Sequence, residues 1–200
     1  MRTCIALLSL LFASISSLDA QEIKLNAPQF ALLINEAAVK ELKLTADQQK
    51  QIDDIFGDMV QTVEGEKRLI VRGQVDLEEV EKDVLKVLND TQRKRLRQAW
   101  IQLNGPMALT DTTLAKDVGL KEEQSKKITE AVTNMNDAMR DVFHQSEGDQ
   151  EKMREGVVRL RKNAANDIEA MLTPDQKKKL ESLKGAKIEG LKKEDKKKSK

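Results

Sequence analysis

The chain is nearly bare of aromatic side chains: four Phe, one Trp and no Tyr in 200 residues. Its core must be built from Leu, Ile, Val, Met and Ala, which suits a thin, elongated body better than a compact globule. Cys4 is the only cysteine and His144 the only histidine. Cys4 falls in a leader-like segment, so the rest of the chain has no disulfide, no thiolate nucleophile and no thiolate metal ligand. A single His cannot form a metal-binding pair or relay a proton to a second one. Gly-rich phosphate loops, nucleophile elbows and paired metal ligands are likewise missing from the sequence. These gaps argue against an enzyme: no catalytic residue, no metal ligand and no cofactor is expected.

Charge, by contrast, is plentiful. Asp, Glu, Lys and Arg make up 34% of the chain, against about 25% in an ordinary globular protein. Abundant Lys, Glu, Leu and Ala with few strand formers predict an all-α fold. The net charge of +1 is unevenly placed: residues 185–200 hold seven Lys and three acids, and the body before them is mildly acidic. A nucleic-acid binder would show a basic face and stacking aromatics instead, so no nucleic-acid partner is expected. The Lys-rich tail, residues 186–200, is expected to be disordered. Contact with anionic lipid or polysaccharide is one role for it, and solubility is the simpler one.

Residues 1–20 read as a signal peptide. Arg2 supplies the positive start, Ile5 to Ile15 a short apolar run, and Ala20 a small residue for cleavage, with Leu18 a poor match at the −3 position. The run is too short to span a bilayer. A periplasmic or secreted protein without a transmembrane segment is expected.

Helix-start punctuation organises the remainder. Leu44-Thr45-Ala46-Asp47-Gln48 returns as Leu172-Thr173-Pro174-Asp175-Gln176, with looser copies at Leu88-Asn89-Asp90-Thr91-Gln92 and Leu120-Lys121-Glu122-Glu123-Gln124. In each, the Thr or Asn at the N-cap accepts from an N–H three residues on, and Gln reaches back to the cap's own N–H. Pro174 stands at the first helical position and the acids in the first turn, where the helix dipole favours them. Lys121 replaces the cap Thr in the third copy.

A longer repeat underlies these boxes. Ile23-Lys24-Leu25-Asn26-Ala27-Pro28 is echoed by Ile101-Gln102-Leu103-Asn104-Gly105-Pro106. Two tandem modules follow, residues 23–100 and 101–185. Each should hold a short helix, a long antiparallel helix hairpin and a closing helix. In the first hairpin the stripe Ile52, Ile55, Phe56, Met59, Val60 and Val63 predicts one long helix, with a break between Gly65 and Gly73. In the second, Ile128, Val132, Met135, Met139, Val142 and Phe143 form the stripe, and Ser146-Glu147-Gly148-Asp149 the turn. The spacing between boxes makes the second hairpin the longer.

Candidates for partner contact are few. Met135 and Met139 share a face that is either a flexible binding groove or ordinary core. Trp100, near the seam between modules, is either core or an anchor for a partner. Asp53, Asp54 and Asp58 read as a solvated helix face, as do the basic runs Arg93 to Arg97 and Lys177 to Lys179.

The paired Leu-Thr-x-x-Gln boxes after an export signal resemble the Spy/CpxP family. That resemblance implies a periplasmic all-helical protein acting as an ATP-independent chaperone or envelope-stress modulator, with other exported or envelope proteins as partners. Four boxes are about twice the family's usual complement, so one chain here would imitate the family's dimer as a monomer. The reading from a different class is a structural or scaffolding helical protein of the envelope or extracellular space.

Overall fold

A computed structural model describes residues 28–63, 66–71 and 74–191. The signal-peptide reading of residues 1–20, the first Ile-x-Leu-Asn echo and the tail from Lys192 onward lie outside the described residues. The described chain is all-α apart from one two-stranded hairpin. No helix within it is long and apolar enough to cross a membrane.

The chain enters through a 3-10 segment, Gln29–Ile34, followed by α1 (Glu36–Leu42). Asn35 separates them, its side chain accepting from the Ala38 N–H at 3.1 Å. The same device recurs further on: a 3-10 segment, Gly105–Thr110, then Asp111 accepting from Leu114 N–H at 2.6 Å, then α5 (Thr112–Val118). Both short helices stop in a left-handed residue, Lys43 after α1 and Gly119 after α5. The short opening helix expected in each half is therefore a 3-10 segment and a short α-helix joined by an Asx cap.

All four boxes begin helices. Thr45 caps α2 (Ala46–Phe56), Asn89 caps α4 (Asp90–Asn104), Lys121 precedes α6 (Glu122–Gln145) and Thr173 caps α8 (Pro174–Lys184). Between α6 and α8 runs α7 (Gln150–Met171), antiparallel to α6 and begun by Asp149, which accepts from Glu151 N–H at 3.0 Å and Lys152 N–H at 3.1 Å. The Lys152 N–H above all, then the Glu151 N–H and the Lys152 ammonium, hold the exposed Asp149 carboxylate below its usual pKa. Gly156 lets the two helices close: a Cβ there would lie 2.5 Å from a methyl of Val142. This second hairpin has the expected form and is the longer of the two.

The first hairpin departs from expectation. α2 ends at Phe56, where Gly57 takes φ +45° and ψ −126°, outside any helix. A short 3-10 turn, Gly57–Met59, leads into β1 (Val60–Val63), which pairs antiparallel with β2 (Glu66–Leu69) before α3 (Leu77–Val87) returns. Val60 therefore leaves the helical stripe, as does the backbone of Val63. The apolar spacing satisfied a helix, but β-branched Val60, Thr62, Val63, Ile70 and Val71 prefer the extended backbone and Gly57 breaks the helix before them.

One hydrophobic core runs through both halves, from Phe30, Ile52, Leu88 and Leu96 to Leu114, Ile128, Ile168 and Leu180. Its few rings are used inside it: Phe30 and Phe56 pack with centroids 5.8 Å apart, and Trp100 is buried. The core also claims the chain after α8. Ile188 and Leu191 are buried. Gln102 binds the segment through Lys184 O at 2.7 Å, Ala186 O at 2.8 Å and Ile188 N–H at 3.0 Å. Residues 186–191 are thus part of the packed body, not of a disordered tail, because two apolar side chains outweigh the Lys-rich composition around them.

Candidate functional site

The box glutamines do more than cap. Each one's Oε1 accepts from the N–H of its own cap residue: Thr45 at 3.1 Å, Asn89 at 3.0 Å, Lys121 at 2.9 Å and Thr173 at 3.0 Å. The cap side chains return the bond in three boxes, Thr45 Oγ1 from Gln48 N–H at 3.1 Å, Asn89 Oδ1 from Gln92 N–H at 2.9 Å, and Thr173 Oγ1 from Gln176 N–H at 3.3 Å. Lys121 has no side-chain acceptor, so its box closes on one side only.

The four boxes then meet in pairs. Gln48 Nε2 donates to Gln92 Oε1 at 2.8 Å, and Gln92 Nε2 donates back to Gln48 Oε1 at 2.9 Å. The second Nε2 protons go to main-chain carbonyls, Gln48 to Val87 O at 2.9 Å and Gln92 to Leu42 O at 3.3 Å. Gln124 and Gln176 repeat the arrangement, with carbonyl partners Met171 at 3.0 Å and Gly119 at 2.9 Å. Every amide hydrogen and oxygen is used, as burial of Gln92 and Gln176 requires. Leu88 and Leu172 pack in the core beneath these pairs, with Leu44 and Leu120 half-buried against it. Sequence reasoning placed each Gln as a local cap and missed the pairing. Two boxes of equal register per half were the available signal.

The remaining sequence candidates separate by burial. Met135, Met139 and Trp100 are all buried, so none offers a surface to a partner. α7 and the 3-10 segment Gly105–Thr110 pack on α6, the helix of the two methionines, and both 3-10 segments pack on α4, the helix of Trp100. Asp53, Asp54 and Asp58 are exposed, and Asp53 accepts from Gln49 Nε2 at 3.0 Å. Among the described residues no three His, Cys, Asp or Glu side chains gather as metal ligands. The basic run on α4 is spent on tethers: Arg95 to Glu41 at 2.6 Å and Arg97 to Asp117 at 2.6 Å, with Arg93 holding Asp90 and the carbonyls of Leu85 and Leu88. A shallow cleft beside α3 is lined by Glu78, Glu81, Lys82, Leu85, Lys86 and Arg93. Burial raises the Glu81 carboxyl above its ordinary value, against the lowering effect of the Gln29 N–H it accepts at 3.0 Å.

Among the described residues two large apolar side chains stand in solvent, Phe143 at 39% and Val158 at 51% exposure. Both lie in the half of the α6–α7 hairpin nearer its turn, Phe143 next to Val142 and Val158 on the side of α7 turned away from Gly156. Phe143 stands edge-on to His144, with ring centroids 6.1 Å apart. Both can make apolar contact with another molecule.

No family model matches the chain, and comparison with curated proteins and with solved structures likewise returned no match.

Proposed function

We propose that this is an exported, non-enzymatic helical binding protein, chaperone-like in the sense the Spy/CpxP resemblance implies, which holds exposed apolar segments of other exported or envelope proteins. The observation that carries the reading is the exposure of Phe143 and Val158 near the free end of a long helix hairpin. The boxes lock the base of that hairpin through Gln124 and Gln176, leaving its far end to present apolar surface. Two isolated side chains among many charges suit weak, unselective capture rather than a tight specific interface. The two halves are read as copies of one module, which lets a single chain serve as a monomer.

The test is suppression of aggregation of a chemically unfolded client by the full chain and by Phe143→Ser/Val158→Ser. Suppression by the parent and its loss in the variant, with helix content unchanged, supports the reading. A folded parent that leaves aggregation untouched overturns it in favour of a scaffolding role.

A further inference from the structure

The β1–β2 hairpin stands where the other half of the chain has continuous helix, and its two edges differ in kind. β2 reads Glu66-Lys67-Arg68-Leu69, three charges in four residues, and it also packs on the 3-10 segment Gln29–Ile34. β1 reads Val60-Gln61-Thr62-Val63 without a charge, and its main packing is with β2 alone. Proteins blunt an open strand edge with charge or cover, and here only β2 is so treated.

The register shows which backbone groups are left over. Ile70 N–H donates to Met59 O at 2.6 Å, and Val60 pairs with Leu69, Gln61 with Arg68 and Thr62 with Lys67. With Met59–Ile70 a hydrogen-bonded pair, the alternation makes Gln61–Arg68 the next one. The N–H and C=O of Val60 and Thr62 then point away from β2 toward the open edge. Val60 and Leu69 rest on the core, so the edge is held in place at its base.

We propose that the outer edge of β1 accepts an extended segment of another polypeptide as an added strand, uncharged in the middle and carrying Lys or Arg at one end. This rests on the client-binding reading and names the form in which a client segment is held. Main-chain pairing supplies affinity without demanding a sequence. Charge selects the ends: Asp53, Asp54 and Asp58 are exposed on the stretch that leads into β1. A second copy of this chain fits the edge less well. Its own β1 has no Lys or Arg within three residues of either end in sequence to meet Asp58. The chain's own Lys192–Lys200 segment offers no uncharged run of strand formers to lay there.

The probe is a fluorescein-labelled peptide, Gly-Gly-Thr-Val-Thr-Val-Thr-Lys-Lys, whose lysines come toward Asp58 when it runs antiparallel to β1; it is titrated into the full chain and followed by anisotropy. Its control carries Pro in place of the first Val. Thr62→Pro removes one outward N–H without touching the hairpin ladder, and Thr62→Lys keeps that N–H but charges the edge. Binding of the probe, loss of about tenfold in affinity in both variants, weak binding of the Pro control and slowed amide exchange at Val60 and Thr62 support the proposal. Asp58→Asn should weaken binding about twofold at low salt and flatten its salt dependence. Equal binding by parent and both variants, equal binding of the Pro control, or no binding overturns it. Client aggregation is measured alongside. Suppression that survives Thr62→Pro and Thr62→Lys leaves the chaperone reading standing and removes the strand-addition proposal, whereas loss of all suppression in the folded parent removes both.

Discussion

Gln124 and Gln176 hydrogen-bond each other twice, amide nitrogen to amide oxygen at 3.0 Å in each direction, from the first turns of α6 and α8. Each also ties its partner's approach segment through a main-chain carbonyl and closes its own helix start. The pair thus fixes where two helices begin and holds those beginnings side by side. Gln48 and Gln92 do the same for α2 and α4.

Gln176→Glu should therefore be costly although it is nearly isosteric. The carboxylate still accepts from the Thr173 N–H, but both donors vanish and a charge is set against the Gly119 carbonyl and the Gln124 oxygen. Leaving those acceptors unsatisfied in a buried site should cost about 1–3 kcal/mol. The control is Gln150→Glu, exposed in the first turn of α7, where an added acid suits the helix dipole and should be close to neutral. Urea unfolding curves measure both. Equal stability of the two variants would mean that the pair contributes nothing.

How far the sequence could be read follows from the range of the forces involved. Caps are local, so Thr45, Asn89, Thr173 and even the imperfect Lys121 could be placed from neighbours alone. The Gln–Gln pairing joins residues 44 and 52 positions apart and left no local trace beyond the repetition of the motif. The first hairpin was misread because residues 52–63 satisfy a helical apolar stripe and a β-rich composition at once, and Gly57 decides between them. Ile188 and Leu191 were hidden by composition, since two apolar residues in a Lys-rich stretch look like noise until the core takes them up. Met135, Met139 and Trp100 carry no sequence mark that tells a groove from a core.

Lys121→Thr should stabilise the fold. Gln124 already accepts from the Lys121 N–H at 2.9 Å, while the Gln124 N–H has no side-chain acceptor from residue 121. A Thr hydroxyl there would complete the box as at Thr45 and Thr173, worth about 1 kcal/mol. Thermal unfolding of the variant measures it. A lower melting temperature would show that the aliphatic stem of Lys121 does more by packing than a cap does by bonding.

Gly156→Ala reverses the usual expectation for a helix. In an exposed helix interior the change gains roughly 0.5–1 kcal/mol. On α7 the new Cβ would fall 2.5 Å from one Val142 methyl and 3.2 Å from the other. The two helices must part or Val142 must change rotamer, so the variant should lose about 1–3 kcal/mol. Val142→Ala removes the obstruction, and the double variant should recover most of the loss. A double-mutant cycle by chemical unfolding measures the coupling. Additive effects would mean that the α6–α7 crossing is looser than this contact implies.

Glu81 gives stability a pH dependence opposite in sign to that of a salt-bridged acid. Burial raises its carboxyl above the ordinary 4.5, the Gln29 N–H lowers it in part, and Asp111 and Glu78 add repulsion. A raised acid binds its proton more tightly folded than unfolded, so stability falls as pH rises through the interval from 4.5 to the folded value. The cost is absent below that interval and fully present above it. Glu81→Gln removes the charge while its amide oxygen keeps accepting from the Gln29 N–H, 3.0 Å away in the parent. The variant should melt higher than the parent at neutral pH, by about one or two degrees for a half-exposed group screened by solvent. At a pH well below 4.5 both side chains are neutral and the gap should close. Melting curves across that range decide it: a variant that is less stable at neutral pH would show that the charged hydrogen bond to Gln29 outweighs the desolvation of Glu81.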